Sequence, residues 1–139
     1  MPLKIKQKSK KGEKKMSQTV LMIDDCEILR NLAENIFKEH DYVVITSNSM
    51  ECFEIFLEKH ESIDLIIFDA GDLDISDEKV KIALEKFWEV KPGVKVIISG
   101  GYGIVNLEVL KKLSVTDHLA KPYKPNDMIQ KVKNILDQK

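Results

Sequence analysis

Five polar side chains that can do chemistry stand at the ends of apolar runs in this sequence. Asp24 and Asp25 follow the first run, Asp69 ends the third, Ser99 follows the fourth and Lys121 follows the fifth. If these runs are parallel strands, their carboxyl ends meet at one edge of a sheet, where such folds bind ligands. The spacing therefore predicts a crevice with three carboxylates, and with a hydroxyl and an ammonium group beside them.

Three carboxylates in one crevice repel one another, and at least one would take up a proton unless a cation lies between them. Mg²⁺ prefers oxygen ligands and keeps several waters, so it suits such a site. An aspartate is a competent nucleophile for forming an acyl phosphate, and a metal ion neutralises the charge that develops. Lys121 and the Ser99 hydroxyl are expected to hold the other phosphoryl oxygens. The residue types therefore predict Mg²⁺-dependent phosphoryl transfer to a carboxylate.

Each residue also has a simpler interpretation when it is taken alone. An aspartate after a strand often caps the next helix, which would explain Asp24 or Asp25. Ser99 precedes two glycines and could be an ordinary loop residue, while Lys121-Pro122 could be a solvated turn. These interpretations do not explain why all the features follow different strands, so we favour a shared site.

The elements that must position these residues alternate between strand and helix five times. Short apolar runs indicate buried strands, and apolar residues at helical spacing indicate the helices between them. The predicted strands are Thr19–Ile23, Tyr42–Thr46, Ile63–Phe68, Val94–Ile98 and Asp117–Ala120. The predicted helices are Cys26–His40, one capped by Asn48 or Ser49, one opened by Ser76 or Asp77, Val105–Leu113 and Pro125–Leu136. The pattern predicts an α/β fold, a doubly wound, flavodoxin-like parallel sheet in the order 2-1-3-4-5.

Helical periodicity also predicts which side chains of the first two helices face the core. For the first helix they are Ile28, Leu29, Leu32, Ala33, Ile36 and Phe37, and for the second Met50, Phe53, Phe56 and Leu57.

Composition sets the organisation of the chain. Of 139 residues, 43% are hydrophobic and 32% charged, which suits one soluble domain. Residues 1–18 hold seven lysines and one glutamate, so we expect a disordered basic leader before a domain over 19–139. A basic arm for nucleic acid or lipid is the alternative for this leader.

Cys26 and Cys52 lack a metal or disulfide pattern and are expected to be buried thiols. With no apolar run long enough for a membrane span and no secretory signal, we expect a cytoplasmic protein with no clear signal for nucleic-acid or membrane binding.

Four short motifs resemble the receiver domain of bacterial response regulators, the CheY-like superfamily. They are VLMIDD at 20–25, LIIFD at 65–69, VIISG at 96–100 and HLAKPY at 118–123. Their order and spacing cover the chain from about residue 19 to residue 137. The resemblance implies the (βα)₅ receiver fold and a phosphoprotein that works in a two-component system.

The resemblance also implies a role for each acidic residue of the crevice. Asp69 would be the phosphoacceptor. Asp25 would bind Mg²⁺ directly, and Asp24 would do so through a water or by positioning. The backbone carbonyl of Gly71 would be a further metal ligand.

On the other side of the crevice, the resemblance implies the parts of a switch. Lys121 would pair with the phosphoryl group, and Ser99 would swing towards it after transfer. His118 falls at the switch position, and its ring would then turn inward. The peptide bond before Pro122 is expected to be cis.

The resemblance further implies the partners of the chain. A histidine kinase or a histidine phosphotransfer protein would donate the phosphoryl group, and phosphorylation would favour a conformation that is already populated. The face around Tyr102, His118 and Tyr123, on the fourth helix, fifth strand and fifth helix, would then dock a downstream protein target. We would not class such a protein as an enzyme.

The chain departs from the family pattern after the acceptor. Leu73 and Asp77 stand where the family usually has Pro and Gly, which leaves the shape of this loop open. Gly71 and Gly101 lie two residues past the acceptor and the hydroxyl, at positions that in the family help to set the lifetime of the phosphoryl group. Glycines give no side-chain shielding there, so we expect the acyl phosphate to be open to water or to a partner phosphatase.

Two other functions remain as alternatives. A pseudo-receiver that only binds proteins would tolerate the changes at Leu73 and Asp77, although the intact acceptor, lysine and hydroxyl argue against it. A haloacid-dehalogenase type of enzyme also uses a nucleophilic aspartate, and residues 72–76 faintly resemble its DxDx(T/S) motif. That motif should directly follow a strand near the start of the fold, whereas here it lies in a loop two strands late.

Overall fold

The strands form where short stretches are apolar and β-branched, as suits a sheet that is covered on both faces. The computed structural model describes residues 17–137; of the predicted leader, residues 1–16 lie outside this range. In chain order the elements are β1 (Thr19–Ile23), α1 (Glu27–Glu39), β2 (Val43–Ser47), α2 (Cys52–Lys59), a 3₁₀ turn (His60–Ser62), β3 (Leu65–Asp69), α3 (Glu78–Val90), β4 (Lys95–Ser99), α4 (Leu107–Leu113), β5 (Asp117–Leu119) and α5 (Pro125–Leu136).

The five strands form one parallel sheet in the order β2-β1-β3-β4-β5, which confirms the predicted fold class. The order reverses between β1 and β3, and there the connections leave the sheet towards opposite faces. Ile23 stands beside Phe68 at the end of β1, and Asp69 stands beside Ser99 at the end of β3. The polar residues that follow these strands therefore meet at one edge.

The alternation of side chains along the strands gives the sheet two cores, one on each face. Leu21 and Ile23 point into the core that α2, α3 and α4 cover. Val20 and Met22 point into the opposite core, under α1 and α5. Because both faces are buried, the edge at the carboxyl ends of the strands is left open for a site.

Local capping explains where two of the helices begin. Asp77 caps α3, as predicted, because its carboxylate accepts a hydrogen bond from the backbone N–H of Lys79. Asn106 caps α4 in the same way through the N–H of Val109, so this helix begins two residues later than predicted.

Four of the predicted core residues were wrong, because Ile28, Leu32, Met50 and Leu57 are exposed. Phe37 is buried on α1 and Phe56 on α2. Leu57 follows Phe56 and Leu32 precedes the buried Ala33, so each is turned about 100° away from the buried stripe. Ile28 lies still further round the helix from this stripe. Met50 lies before α2, which begins only at Cys52.

The prediction of two buried thiols was wrong for Cys26. This residue is the N-cap of α1 and is exposed, whereas Cys52 is buried in the first turn of α2. Both thiols are free. Among the described residues, no helix has the length and apolar character that crossing a membrane requires.

Candidate functional site

One ammonium group joins two carboxylates across the point where the strand order reverses. Lys121 follows β5, and its Nζ donates hydrogen bonds to Asp24 Oδ2 and to Asp69 Oδ1, each at 3.0 Å. The Asp24 side chain is 1% exposed and that of Asp69 is 12% exposed. Partial burial disfavours the charged ammonium, but the bonds to Asp24 and Asp69 outweigh this and raise the pKa of Lys121. The crevice therefore holds a fixed positive charge between two carboxylates.

Asp24 also accepts hydrogen bonds from two residues that follow it in the chain. Its Oδ1 accepts a hydrogen bond from the N–H of Cys26 at 2.8 Å, and its backbone carbonyl accepts one from Nη1 of Arg30. Arg30 was not among the predicted site residues. It is the only arginine in the sequence, placed just after the acidic pair, and this could have pointed to it.

Asp25 does not join this ion-pair cluster. Its exposed carboxylate accepts hydrogen bonds from the N–H of Ser49 at 2.8 Å and from the Ser49 hydroxyl at 3.0 Å. Within residues 17–137, no three His, Cys, Asp or Glu side chains are grouped closely enough to hold a metal ion. The structure thus brings Asp24 and Asp69 together and leaves Asp25 bound to the loop after β2.

Asp69 is surrounded by small residues and by hydrogen-bond donors. The N–H of Gly71 donates to Asp69 Oδ1 at 2.8 Å. Ser99 stands in register beside Asp69, and its buried hydroxyl has no hydrogen-bond partner in the described part of the chain. A Cβ at Gly100 would lie 3.2 Å from Asp69 Oδ1 and 3.4 Å from Lys121 Cδ. Glycine at this position therefore leaves room beside the carboxylate.

His118 connects β5 to the loop after β4. Its Nε2 lies 2.8 Å from the carbonyl oxygen of Gly100 and donates to it. The peptide bond between Lys121 and Pro122 is cis, as the resemblance implied. The predicted switch residue is thus in contact with the loop that follows Ser99.

Tyr123 places a second hydroxyl group in the interior. This hydroxyl is buried and has no hydrogen-bond partner among the described residues. Burial, with a smaller effect of the Asp24 carboxylate, raises the pKa of Tyr123 to about 12. The sequence placed Tyr123 on the face expected to dock a partner, and an aromatic residue in a sequence does not show whether its hydroxyl is buried.

The loop after β3, which lacks the proline and glycine of the family pattern, is held by main-chain and side-chain hydrogen bonds. The Gly71 carbonyl accepts a hydrogen bond from the N–H of Gly101 at 2.9 Å. Asp77 serves as the cap of α3, and Asp74 Oδ1 accepts hydrogen bonds from the N–H and hydroxyl of Ser76. Residues 72–76, which faintly resemble a dehalogenase motif, therefore form a loop whose Asp74 carboxylate is hydrogen-bonded within the loop itself.

The structure is similar to many solved structures of response regulators. A response regulator from Thermotoga maritima is 25% identical with a TM-score of 0.70, and the match covers 88% of this chain and 99% of that one. A receiver domain protein from Clostridium thermocellum is 25% identical with a TM-score of 0.71, covering 86% and 94%. A CheY-like receiver domain protein from Methanospirillum hungatei is 24% identical with a TM-score of 0.69, covering 87% and 94%. The sequence matches no protein-family model and, at a significant level, no curated protein.

These likenesses cover 86–88% of this chain and agree with the strand order described above. The chain therefore has the CheY-like fold of response regulator receiver domains, as its four motifs predicted.

Proposed function

We propose that this chain is a receiver that accepts a phosphoryl group on Asp69, with Mg²⁺, from a phosphohistidine of a sensor kinase or phosphotransfer protein. The observation that carries the proposal is the Lys121 ammonium held 3.0 Å from both Asp24 and Asp69. An ammonium that is fixed beside an acceptor carboxylate lowers the cost of bringing an anionic phosphoryl group to it. A solvated surface lysine would have no reason to hold this position.

In the proposed transfer, a carboxylate oxygen of Asp69 attacks the phosphorus atom. The new P–O bond forms as the P–N bond of the phosphohistidine breaks, and the imidazole nitrogen leaves with the electron pair. Lys121 and the N–H of Gly71 stabilise the phosphoryl oxygens. The Ser99 hydroxyl, which has no partner among the described residues, gains an acceptor there. A buried unpaired hydroxyl costs about 1–3 kcal/mol, so this gain favours the phosphorylated state.

The donor set of the crevice suits Mg²⁺. Asp25 and Asp69 would supply carboxylate oxygens, Asp24 would act through a water, and the Gly71 carbonyl keeps a free lone pair beside its bond to Gly101. Asp25 would have to turn away from Ser49, which is a small change for an exposed side chain. When bound, Mg²⁺ would neutralise charge that the acceptor shares with the phosphoryl group.

The proposed output runs from the crevice to the face formed by α4, β5 and α5. Once Lys121 and Ser99 engage the phosphoryl group, the loop after β4 moves, and the bond from His118 to Gly100 transmits the change. Tyr102, which is 62% exposed, lies on this loop where a downstream protein could contact it. The message would pass by docking or by phosphorelay, and we propose that this takes place in the cytoplasm.

Amide spectra with beryllofluoride and Mg²⁺, a stable mimic of the phosphoryl group, test the proposal. We expect shifts at Ser99, Gly100 and His118 in the wild type. The same shifts should appear in Asp72→Asn, the control, because the exposed Asp72 carboxylate lies on the loop after Asp69 but is not part of the proposed site. Asp69→Asn should show none. Shifts with Mg²⁺ alone, without any response to beryllofluoride, would favour a protein-binding module that is not phosphorylated.

A further inference from the structure

The loop after β3 and the loop after β4 are joined by three main-chain hydrogen bonds. Gly101 N–H donates to the Gly71 carbonyl at 2.9 Å, and Tyr102 N–H donates to the Leu73 carbonyl at 3.0 Å. The N–H of Ile75 donates back to the Tyr102 carbonyl at 2.9 Å. We call these three bonds the loop clamp. The clamp joins the loop that follows Asp69, the proposed acceptor, to the loop that follows Ser99.

The clamp depends on glycine at position 101. Gly101 has φ +77°, and a Cβ there would lie 2.8 Å from Ile75 Cγ2 and 3.1 Å from the Leu73 carbonyl oxygen. Ile75 is fully buried, so it cannot move aside at low cost. Gly93 has a similar φ of +83°, but outside Gly93 and its two chain neighbours no described atom lies within 4 Å of a Cβ placed there. Alanine at 93 therefore meets the same backbone strain without touching a neighbouring loop.

The clamp reaches Asp69 through one residue. Gly71 donates its N–H to Asp69 Oδ1 at 2.8 Å, and it offers its carbonyl to Gly101 on the other side. A short main-chain path thus runs from the acceptor carboxylate through Gly71 to Gly101. The carbonyl and the N–H of Gly71 belong to the two peptide units on either side of its Cα. Loss of the bond from Gly101 removes a restraint on the first of these units, and through Gly71 it loosens the loop that places the N–H at Asp69.

We propose that Gly101 is a positioning residue for the acceptor: its N–H fixes the Gly71 carbonyl, and so holds the loop after Asp69 in the arrangement that receives a phosphoryl group. This inference rests on the proposed function. Coupling between two sites is reciprocal, so if the clamp favours loading of Asp69, loading must stabilise the clamp by the same factor. Phosphorylation of Asp69 would then affect the loop before α4 by two routes. One runs through the main-chain bonds of the clamp, and the other runs through Ser99.

The reciprocal prediction can be tested on the unaltered chain by amide hydrogen exchange. With beryllofluoride and Mg²⁺ we expect exchange at Gly101 and Tyr102 to slow about fivefold or more, the lower end of typical coupling factors. Exchange at Val94, whose N–H bonds to Lys91 at the opposite edge of the sheet, should not change. Unchanged exchange at Gly101 and Tyr102, in protein that does bind beryllofluoride, would overturn the inference and leave the proposed function standing.

The variants Gly101→Ala and Gly93→Ala form a matched pair for the direct test. Phosphorylation from acetyl phosphate with Mg²⁺ should be about tenfold or more slower for Gly101→Ala, because the acceptor loop is misplaced. The Gly93→Ala variant should keep the wild-type rate. Equal rates for the two variants would overturn the inference. If Gly101→Ala does not fold, the exchange measurement decides alone, and if the wild type binds no beryllofluoride, the proposed function and this inference fall together.

Discussion

Lys121 and Asp24 lie 97 residues apart in the chain and form an ion pair of 3.0 Å at the edge of the sheet. The Asp24 side chain is 1% exposed and that of Lys121 is 28% exposed, so water screens the pair from one side only. The same ammonium also contacts Asp69. One ammonium group therefore pairs with both carboxylates.

Replacing this lysine should destabilise the fold. Lys121→Met leaves the buried Asp24 carboxylate without its charged partner, so the free energy of unfolding should fall by about 1–3 kcal/mol at neutral pH. Mg²⁺ should restore part of the loss, because a bound cation replaces the missing charge and binds only the folded state. Urea unfolding with and without Mg²⁺ measures both effects.

The control for this variant is Lys131→Met. Lys131 pairs with Asp117 at 3.2 Å, and both side chains are about one-third exposed, so its loss should cost less than about 1 kcal/mol. A Lys121→Met variant that is no less stable than this control would contradict the assigned role.

Tyr123→Phe tests the buried hydroxyl. Because this hydroxyl lacks a partner among the described residues, its removal should leave the free energy of unfolding at neutral pH unchanged or raise it by up to about 1 kcal/mol. A loss of stability at neutral pH would show that the hydroxyl has a partner.

The same variant should differ from wild type in alkaline solution. The pKa of Tyr123 is raised from 10.0 to about 12 in the folded protein, so the unfolded chain releases this proton first. The free energy of unfolding of the wild type therefore falls as the pH rises from 10.0 to about 12. The Tyr123→Phe variant has no such proton to release and lacks this loss of stability. Urea unfolding at about pH 11 should find Tyr123→Phe more stable than wild type, whereas Tyr102→Phe, at an exposed position, should show no such gain.

His118→Phe tests the contact between β5 and the loop after β4. The phenyl ring fills a similar space but cannot donate to the Gly100 carbonyl, a bond worth about 1 kcal/mol. Hydrogen exchange in residues 100–103 should therefore be about fivefold faster. His60→Phe removes a bond of the same kind to Leu57, at the end of α2, and should leave this loop unchanged. Equal exchange in the two variants would exclude a role for His118 in holding the loop.

The glycine at 71 predicts a short-lived acyl phosphate. Outside Gly71 and its two chain neighbours, no described atom lies within 4 Å of a Cβ placed there, so a side chain at this position would extend into open space. Gly71→Asn adds a polar side chain at φ +60°, which asparagine tolerates, and should lengthen the half-life. A half-life of many hours for the wild type, measured as loss of phosphoryl label, would refute the expectation.

The sequence predicted the main elements because their signals are local. Pro125 opens α5, and the uniformly buried residues from Thr19 to Ile23 form β1, both with the predicted bounds. The meeting of Asp24, Asp69 and Lys121 followed from the strand order, since all three residues lie at the carboxyl ends of strands of one parallel sheet.

Features that depend on loop conformation could not be predicted in this way. The bonds from Ser49 to Asp25 need the loop after β2 to fold back towards β1, and nothing in the composition of that loop requires it. The loop clamp uses main-chain groups, which every sequence has, so only the glycine at 101 marks it. The sequence indicated Tyr123 as part of the docking face, but it could not show that the hydroxyl is buried without a partner among the described residues.

Phosphorylation with acetyl phosphate and Mg²⁺, followed by intact mass and peptide mapping, tests the central claim most directly. Wild type and Asp72→Asn should each gain one phosphoryl group, mapped to Asp69, and omission of Mg²⁺ should abolish the gain. Asp69→Asn should gain none. A phosphoryl group retained by Asp69→Asn, or none on the wild type with Mg²⁺ present, would contradict the account.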